Sequence, residues 1–222
     1  MAVDVDTIDN EIFHGLANPA WTEFFRPPYQ CDIARPAFDP EAAKAALEEA
    51  GWTDSDSDGV RECNGCTTGA PAGYKMEMEF ITYAEYGEPL ELTQQLIAEM
   101  LGGIEQSGNY DIDLWDDGYA GVDPTDYVWE TYSIDAATPD AGWNFTRWNN
   151  SAVDALIGET YTLDEQTRKD TFCAIGDFIN AEVPVIHLFT VPNADAYSVR
   201  LEGVQSSVND LITWNSADWK LK

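Results

Sequence analysis

Basic residues are scarce in this chain of 222 residues. Lysine and arginine together number 11 against 41 aspartates and glutamates, which gives a formal net charge of -30 and an isoelectric point near 4.1. Such a charge would repel a phosphate backbone, so we exclude nucleic acid as a partner, and anionic lipid surfaces are disfavoured for the same reason. No apolar run approaches the roughly 18 residues that a membrane-spanning helix needs.

Signatures of catalysis are also lacking. The sequence contains no phosphate-binding glycine loop, no dinucleotide-binding glycine motif, no H-E-x-x-H and no G-x-S-x-G. Of the two histidines, His187 lies in the apolar run 184–189 and is predicted to be a buried structural residue rather than a base. Among 41 acids some pair will always fall at a hydrolytic distance, so this signal has almost no specificity. We therefore expect a protein that is not an enzyme.

Apolar residues are plentiful enough to form a core, at 44% of the chain with 12% aromatic, so one or two ordered domains are expected. The acidic N-terminal segment has no basic stretch and does not resemble a secretory signal. A strand, a helix and a second strand in succession imply parallel pairing and an α/β fold. Apolar periodicity predicts helices over 39–50, 89–101, 124–132, 151–161 and 164–182, and strands over 74–83, 110–115 and 185–191.

Four cysteines permit two disulfides. Cys63 and Cys66 form a C-x-x-C among glycine, asparagine and threonine, where a local loop disulfide is favoured over a zinc or redox site. Pairing of Cys31 with Cys173 is a hypothesis that rests on these two residues being left over, and it would close a far longer loop.

An acidic loop is the sharpest local motif. Asp54, Asp56 and Asp58, followed by Gly59, match the first half of a calcium loop, and Glu62 at the ninth position is a further candidate ligand. The twelfth position, where an EF-hand carries glutamate, is glycine. Two interpretations stay open: a site for Ca²⁺ or another divalent ion, and a solvated turn.

Aromatic and polar residues alternate between positions 115 and 149. Flat rings beside hydrogen-bonding groups are typical of a wall that grips a ligand, although the same rings could form part of the core. The candidate ligand-binding residues are Trp115, Tyr119, Asp123, Trp143, Asn144, Phe145 and Trp148.

Several motifs resemble, in order along the chain, the family 5 extracellular solute-binding proteins of ABC importers. The most specific is the segment 38–52, FDPEAAKAALEEAGW, which is followed by DSDSDGVR at 54–61. Weaker matches are GLANP at 15–19, YDIDL at 110–114, NFTRWNNSAVDALI at 144–157 and EVPVI at 182–186.

The resemblance implies the C-terminal lobe of a type II (cluster C) periplasmic-binding-protein-like fold, with a mixed sheet flanked by helices. Residues 1–222 would be this single lobe, a fragment whose N-terminal lobe is absent, and about 192–222 would return toward the other lobe. The implied setting is extracytoplasmic, in the periplasm or on the outer face of the membrane, with attachment through ABC permease subunits or a lipid anchor.

The resemblance also implies a function, which is the capture of peptides or another small polar solute, such as an oligosaccharide, for import. In peptide-binding members an aromatic residue after a glycine and an aspartate a few residues later contact the peptide. Gly118 and Tyr119 match the first element, and Asp123 is the candidate partner of the peptide ammonium. A calcium-stabilised, non-catalytic interaction module and a carboxylate-pair hydrolase are the alternative functions.

Overall fold

The computed structural model describes residues 2–83, 85, 87–101, 111–119, 121–138, 142–191, 195–207 and 212–222. The chain divides into two compact units, the first formed by Met1–Pro19 and Pro36–Asp116 and the second by Ala20–Arg35 and Asp117–Lys222. The prediction that residues 1–222 belong to one lobe of a larger protein stays a prediction, because one lobe can contain more than one compact unit.

The described residues of the first unit form three α-helices and short strands. Within it, β2 pairs with β3 in antiparallel register and β4 pairs with β5 in parallel register. The elements are α1 (Val5–Ile12), β1 (Asn18–Pro19), α2 (Pro40–Glu49), β2 (Trp52–Thr53), β3 (Glu62–Cys63), β4 (Phe80–Thr82), α3 (Glu88–Leu101) and β5 (Ile112–Leu114).

Helix α2 begins and ends as its sequence predicts. The side chain of Asp39 accepts a hydrogen bond from the amide of Ala42 at 2.9 Å, and Pro40 occupies the first turn. Gly51 follows the helix with a φ of +85°. A Cβ at this position would lie 2.7 Å from the Cα of Cys66, so both the left-handed conformation and the close approach require glycine.

The βαβ unit is confirmed, with one correction. Strands β4 and β5 flank α3 and pair in parallel, Phe80 opposite Ile112. The predicted strand over 74–83 is too long, because its first residues pair elsewhere: the amide of Met76 donates to the carbonyl of Arg61, and Lys75 bridges to Glu62. The first residue of the strand predicted over 110–115 lies outside the described residues.

Three further α-helices lie in the part of the second unit that the structure describes. Strands β7 and β8 pair in antiparallel register, and short 3₁₀ helices span Ile134–Ala136 and Ile212–Asp218. The elements are α4 (Thr125–Tyr132), α5 (Ser151–Glu159), α6 (Glu165–Glu182), β6 (Phe189–Thr190), β7 (Leu201–Glu202) and β8 (Lys220–Leu221).

The core of the second unit lies between α6 and the irregular segment 20–35. Phe24 and Phe172 stack with ring centroids 5.3 Å apart, and Tyr29 meets the Phe172 ring edge-on at 5.0 Å. Cys31 and Cys173 are joined by a disulfide at the same place. The irregular segment 20–35 has few main-chain hydrogen bonds of its own. Its path is fixed instead by the burial of these rings.

The predicted buried strand over 185–191 is wrong in extent and burial. Only Phe189 and Thr190 are in strand, and the side chain of Ile186 is exposed. A fully buried strand needs packing on both faces. Here Val185 packs on the core and His187 contacts Glu23, but the side chain of Ile186 points to solvent.

The α/β class is confirmed. In place of one continuous mixed sheet, the described residues of the first unit form an antiparallel ladder and a parallel ladder, and those of the second unit form an antiparallel ladder, each with two strands. Among the described residues, none of the helices combines the length and apolar character that crossing a membrane requires.

Candidate functional site

Helix α4 organises the candidate ligand-binding residues of the second unit. Asp123 lies just before it, and its Oδ1 accepts hydrogen bonds from the amide and the hydroxyl of Thr125, at 3.0 and 2.6 Å. The other oxygen, Oδ2, lies 2.7 Å from Nη1 of Arg168 on α6. Asp123 therefore fixes the start of α4 and ties it to α6.

Tyr119 packs beside the first turn of the same helix. Its ring centroid lies 5.4 Å from that of Tyr127. The guanidinium carbon of Arg26 lies over the Tyr119 ring, 4.4 Å from its centre, and makes a cation–π contact. Its hydroxyl donates to the carbonyl of Glu23 at 3.4 Å. Partial burial raises the pKa of the Tyr119 phenol, so the residue is neutral at physiological pH.

Asn144 fixes the chain at the other end of α4. It is buried, and its Nδ2 donates to the carbonyls of Ser133 and Trp148, both at 2.9 Å. Its Oδ1 accepts from the amide of Trp148 at 3.0 Å. The amide of Trp143 adds a bond to the carbonyl of Glu130 at 2.7 Å. We call residues 142–148 the braced loop.

The braced loop presents two aromatic side chains. Trp143 is 45% exposed and Phe145 is 51% exposed, on either side of the buried Asn144. Trp148 turns inward instead: its ring meets Tyr132 of α4 edge-on at 6.0 Å, and its indole nitrogen donates to Glu182 at 2.7 Å. A loop held by main-chain bonds can expose rings without losing its shape.

Six of the seven predicted ligand-binding residues thus surround α4. Trp115, the seventh, belongs to the first unit and is half-buried there. The structure shows positions and contacts, and the ligand-binding role of each residue stays a prediction. A cavity of about 370 Å³ lies between α4 and α5, and none of the seven residues line it.

Sequence reasoning missed a buried acid beneath Tyr119. Glu23 is 5% exposed, and its Oε2 lies 3.2 Å from Nε2 of His187, which is largely buried as predicted. Neither carboxylate oxygen accepts a hydrogen bond of good geometry from a described group. The available signal was that Glu23 stands in an aromatic-rich segment, 21–25, and His187 in an apolar run, 184–189, where a buried charge must find a partner.

The charge of Glu23 is felt by its neighbours. Burial alone would lower the pKa of His187, but the negative charge of Glu23, the contact with it and the charge of Asp117 together raise that pKa above its usual value. Burial, followed by the charge of Glu23, raises the pKa of Tyr132 far above its usual range. Burial, followed by the charge of Asp117, likewise raises the pKa of Tyr127. The phenols of Tyr127 and Tyr132 are therefore uncharged at neutral pH, and they lie beside the contact of Glu23 with His187.

The acidic loop forms the turn between β2 and β3 in the first unit. Asp54, Asp56, Asp58 and Glu62 each offer a carboxylate oxygen, and these four atoms lie within 4.8 Å of one another. The ammonium of Lys75 is bonded to Asp58. This bond, followed by the bond from the amide of Val60, lowers the pKa of Asp58, and the contact raises the pKa of Lys75.

Both predicted disulfides are present in the structure. Cys63 and Cys66 join within the first unit, where they pack with Trp52, and Cys31 and Cys173 join within the second. Each bond closes within its own unit, and they span 3 and 142 residues respectively.

Comparison with known proteins gives a consistent result. Residues 1–139 match the model of the family described as bacterial extracellular solute-binding proteins, family 5 middle. A search of curated protein sequences gives no match.

Three solved structures illustrate the likeness of fold. NikZ from Campylobacter jejuni, in complex with Ni(L-His), is 20% identical with a TM-score of 0.77, over 98% of this chain and 46% of that one. The oligopeptide-binding protein AppA from Bacillus subtilis, in complex with a nonapeptide, is 18% identical with a TM-score of 0.68, over 100% and 46%. A mannohexaose-bound oligopeptide-binding protein from Thermotoga maritima is 18% identical with a TM-score of 0.64, over 85% and 39%.

The fold is therefore that of a type II periplasmic binding protein, as the sequence motifs predicted. The family match covers more than half of the chain, and the chain belongs to family 5 of the bacterial extracellular solute-binding proteins. The family and the matched structures are binding proteins. The chain spans less than half the length of each of these three structures.

Proposed function

We propose that the chain is part of the substrate-binding component of an ABC importer, which captures a peptide or another small polar solute outside the cytoplasm. Membership of the family supports this proposal. The proposal fits the net charge of -30, which favours solubility and disfavours nucleic acid as a partner.

The observation that carries the proposal is the braced loop. Trp143 and Phe145 are large, exposed aromatic side chains on a segment that the hydrogen bonds of Asn144 hold to the end of α4. Exposed rings on a preorganised segment bind a ligand with little loss of conformational entropy, since only a few side-chain torsions are ordered. Rings of this kind suit both a peptide and a sugar.

Asp123 is proposed as the partner of a ligand ammonium, but it has a competitor. Its Oδ2 already contacts the Arg168 guanidinium, and its Oδ1 accepts from Thr125. A peptide ammonium would have to share or replace the contact with Arg168. Oligosaccharides have no such requirement, so the aromatic side chains, rather than Asp123, are the stronger part of the proposed site.

The remaining parts of the proposal concern partners. A second, N-terminal lobe would enclose the ligand by hinge closure, and ABC permease subunits would receive it. The setting would be the periplasm or the outer membrane face, with attachment through the permease or a lipid anchor. We expect no turnover of peptides or glycosides.

Isothermal titration calorimetry tests the proposal with three probes: a nonapeptide, mannohexaose and Ni(L-His). We expect saturable binding of at least one probe. Trp143→Ala should weaken it about tenfold, which corresponds to about 1.4 kcal/mol. Trp214→Ala removes an equally exposed tryptophan elsewhere in the second unit and should leave the affinity unchanged.

The titrations are made with this chain and with the product of any longer reading frame that DNA sequencing finds upstream of Met1. Absence of saturable binding of all three probes to the longest product would contradict the proposal. Equal losses from Trp143→Ala and Trp214→Ala would contradict the role of the braced loop.

A further inference from the structure

The turn between β2 and β3 gathers negative charge at one point. Trp52 pairs with Cys63 and Thr53 with Glu62, so the two strands bring the first and last acids of the loop together. Oxygen atoms of Asp54, Asp56, Asp58 and Glu62 lie within 4.8 Å of one another. We call these four residues the hairpin acid cluster.

The cluster is only partly neutralised by the cation bonded to it. Lys75 is that cation, and its ammonium contacts Asp58, so four carboxylates face one ammonium. Like charges this close repel one another, and the loop holds them together through its own main chain: the amides of Asp58 and Gly59 donate to Asp56 and Asp54.

Glu62 distinguishes the cluster from an ordinary solvated turn. This residue is 6% exposed, whereas the three aspartates are exposed. Its Oε2 accepts from the amide and hydroxyl of Ser55, at 3.0 and 2.7 Å, but its Oε1 is buried without a partner among the described groups. A buried carboxylate oxygen costs free energy unless a donor or a cation satisfies it.

We infer that the hairpin acid cluster binds one Ca²⁺ ion, and that the free oxygen of Glu62 is one of its ligands. All four side chains offer carboxylate oxygens, which hard divalent cations prefer, and cysteine and histidine ligands of the kind that zinc favours do not contribute to the cluster. An irregular loop suits the adaptable coordination of Ca²⁺ better than the strict octahedron of Mg²⁺. Because the loop carries Gly65 at the twelfth position, we expect a dissociation constant of about 0.1–1 mM, the range of extracellular modules.

Bound Ca²⁺ would fasten the hairpin against the rest of the first unit. The strands that the loop joins carry Trp52 and Cys63, which form a small apolar cluster with Cys66. An ion that binds the folded hairpin and not the unfolded chain raises the melting temperature by mass action. Lys75 would compete for the same oxygens, so its removal should favour the ion.

Calorimetry on the chelator-treated full chain tests this site with CaCl₂ as the probe, in the presence of KCl and MgCl₂ to suppress non-specific condensation of ions. We expect one saturable site and a rise in melting temperature. Glu62→Gln should weaken binding about tenfold or more. Lys75→Met should strengthen it up to about fivefold, because an exposed ion pair no longer competes.

Two further variants make the result decisive. Asp56→Asn removes an exposed member of the cluster and should weaken binding even if Glu62→Gln does not fold. Asp177→Asn removes an exposed acid of α6 in the other unit and should bind Ca²⁺ as the parent chain does. Absence of saturable binding at millimolar Ca²⁺, or equal losses from Asp56→Asn and Asp177→Asn, would overturn the inference.

Discussion

The hairpin acid cluster and the surroundings of α4 are built in opposite ways. All four acids of the hairpin lie within the nine residues 54–62, and three of them are exposed. The α4 site is assembled from four distant segments, near Glu23, Tyr119, Asn144 and His187, and its polar groups are mostly buried. A site made by one loop can be identified in the sequence, whereas a site made by packing needs the fold.

The electrostatics of the two regions differ accordingly. In the hairpin, hydrogen bonds to Ser55 lower the pKa of Glu62, and the bond to Lys75 lowers that of Asp58. Around α4, burial raises the pKa of Tyr127 and Tyr132. The hairpin therefore concentrates negative charge, whereas around α4 the charged groups lie in pairs, Glu23 with His187 and Asp123 with Arg168, beside uncharged phenols.

The largest expected effect on the free energy of unfolding comes from the two disulfides, one of which closes a short loop and the other a long one. Replacing Cys31 and Cys173 by serine should lower the free energy of unfolding by about 5 kcal/mol, because the unfolded chain regains a loop of 142 residues. Replacing Cys63 and Cys66, only 3 residues apart, should cost about 2 kcal/mol.

Urea unfolding of the two double variants measures this difference. The parent chain treated with a reductant serves as the control that lacks both bonds. Equal losses of stability from the two double variants would show that loop length does not govern their contributions.

Asn144 gives the next largest effect. Asn144→Ala should lower the free energy of unfolding by about 2 kcal/mol or more, because the amide of Trp148 and the carbonyl of Ser133 lose their buried partners. It should also weaken the binding of any probe that Trp143 helps to bind. Asn149→Ala changes an exposed neighbour and should alter stability by less than about 0.5 kcal/mol. If urea unfolding gives the same stability for both variants, the hydrogen bonds of Asn144 do not stabilise the braced loop.

The ion pair of Glu23 and His187 should produce the smallest effect, visible as a pH dependence. Since the pKa of His187 is higher in the folded chain than its ordinary value of about 6.5, its stabilising contribution is complete below that pH and is lost as the pH rises through the folded pKa. His187→Gln should therefore flatten the fall in stability on the alkaline side of pH 6.5.

The test is to measure the melting temperatures of the parent chain and of His187→Gln at a series of pH values below and above 6.5. His14→Asn is the matched control, because it removes the other histidine from an exposed site with positive φ, a conformation that asparagine tolerates. If the pH dependence is the same in the parent chain and in His187→Gln, the two side chains do not form a charged pair.

Much of the fold could be predicted because its signals are local. Asp39, Pro40 and Gly51 mark the two ends of α2, and strand periodicity around α3 predicted the parallel pair β4–β5. Predictions were wrong where the same apolar composition fits both a fully buried strand and a half-buried segment. Residues 185–191 have the composition of a buried strand, yet Ile186 and Val191 are exposed while Val185 packs on the core, because burial depends on which surfaces are nearby.

The candidate site was predicted as a set of residues and not as an arrangement. The sequence pointed to Tyr119, Asn144 and Trp148, but their common relation to α4 depends on contacts across 12 or more positions, such as that of the Asn144 amide with Tyr132. Glu23 was missed because its partner His187 is more than 160 positions away, and no local pattern connects them.

By itself, the sequence determined the ends of α2, the βαβ unit, the acidic loop and the family, since each depends on residues that are close along the chain or on motifs in a fixed order. Only the tertiary structure decided which aromatic rings are exposed and which are core, and which acid is buried beside a histidine. The physical reason is that solvent exposure and charge pairing belong to surfaces that meet on folding, and a residue's own neighbours in sequence do not specify those surfaces.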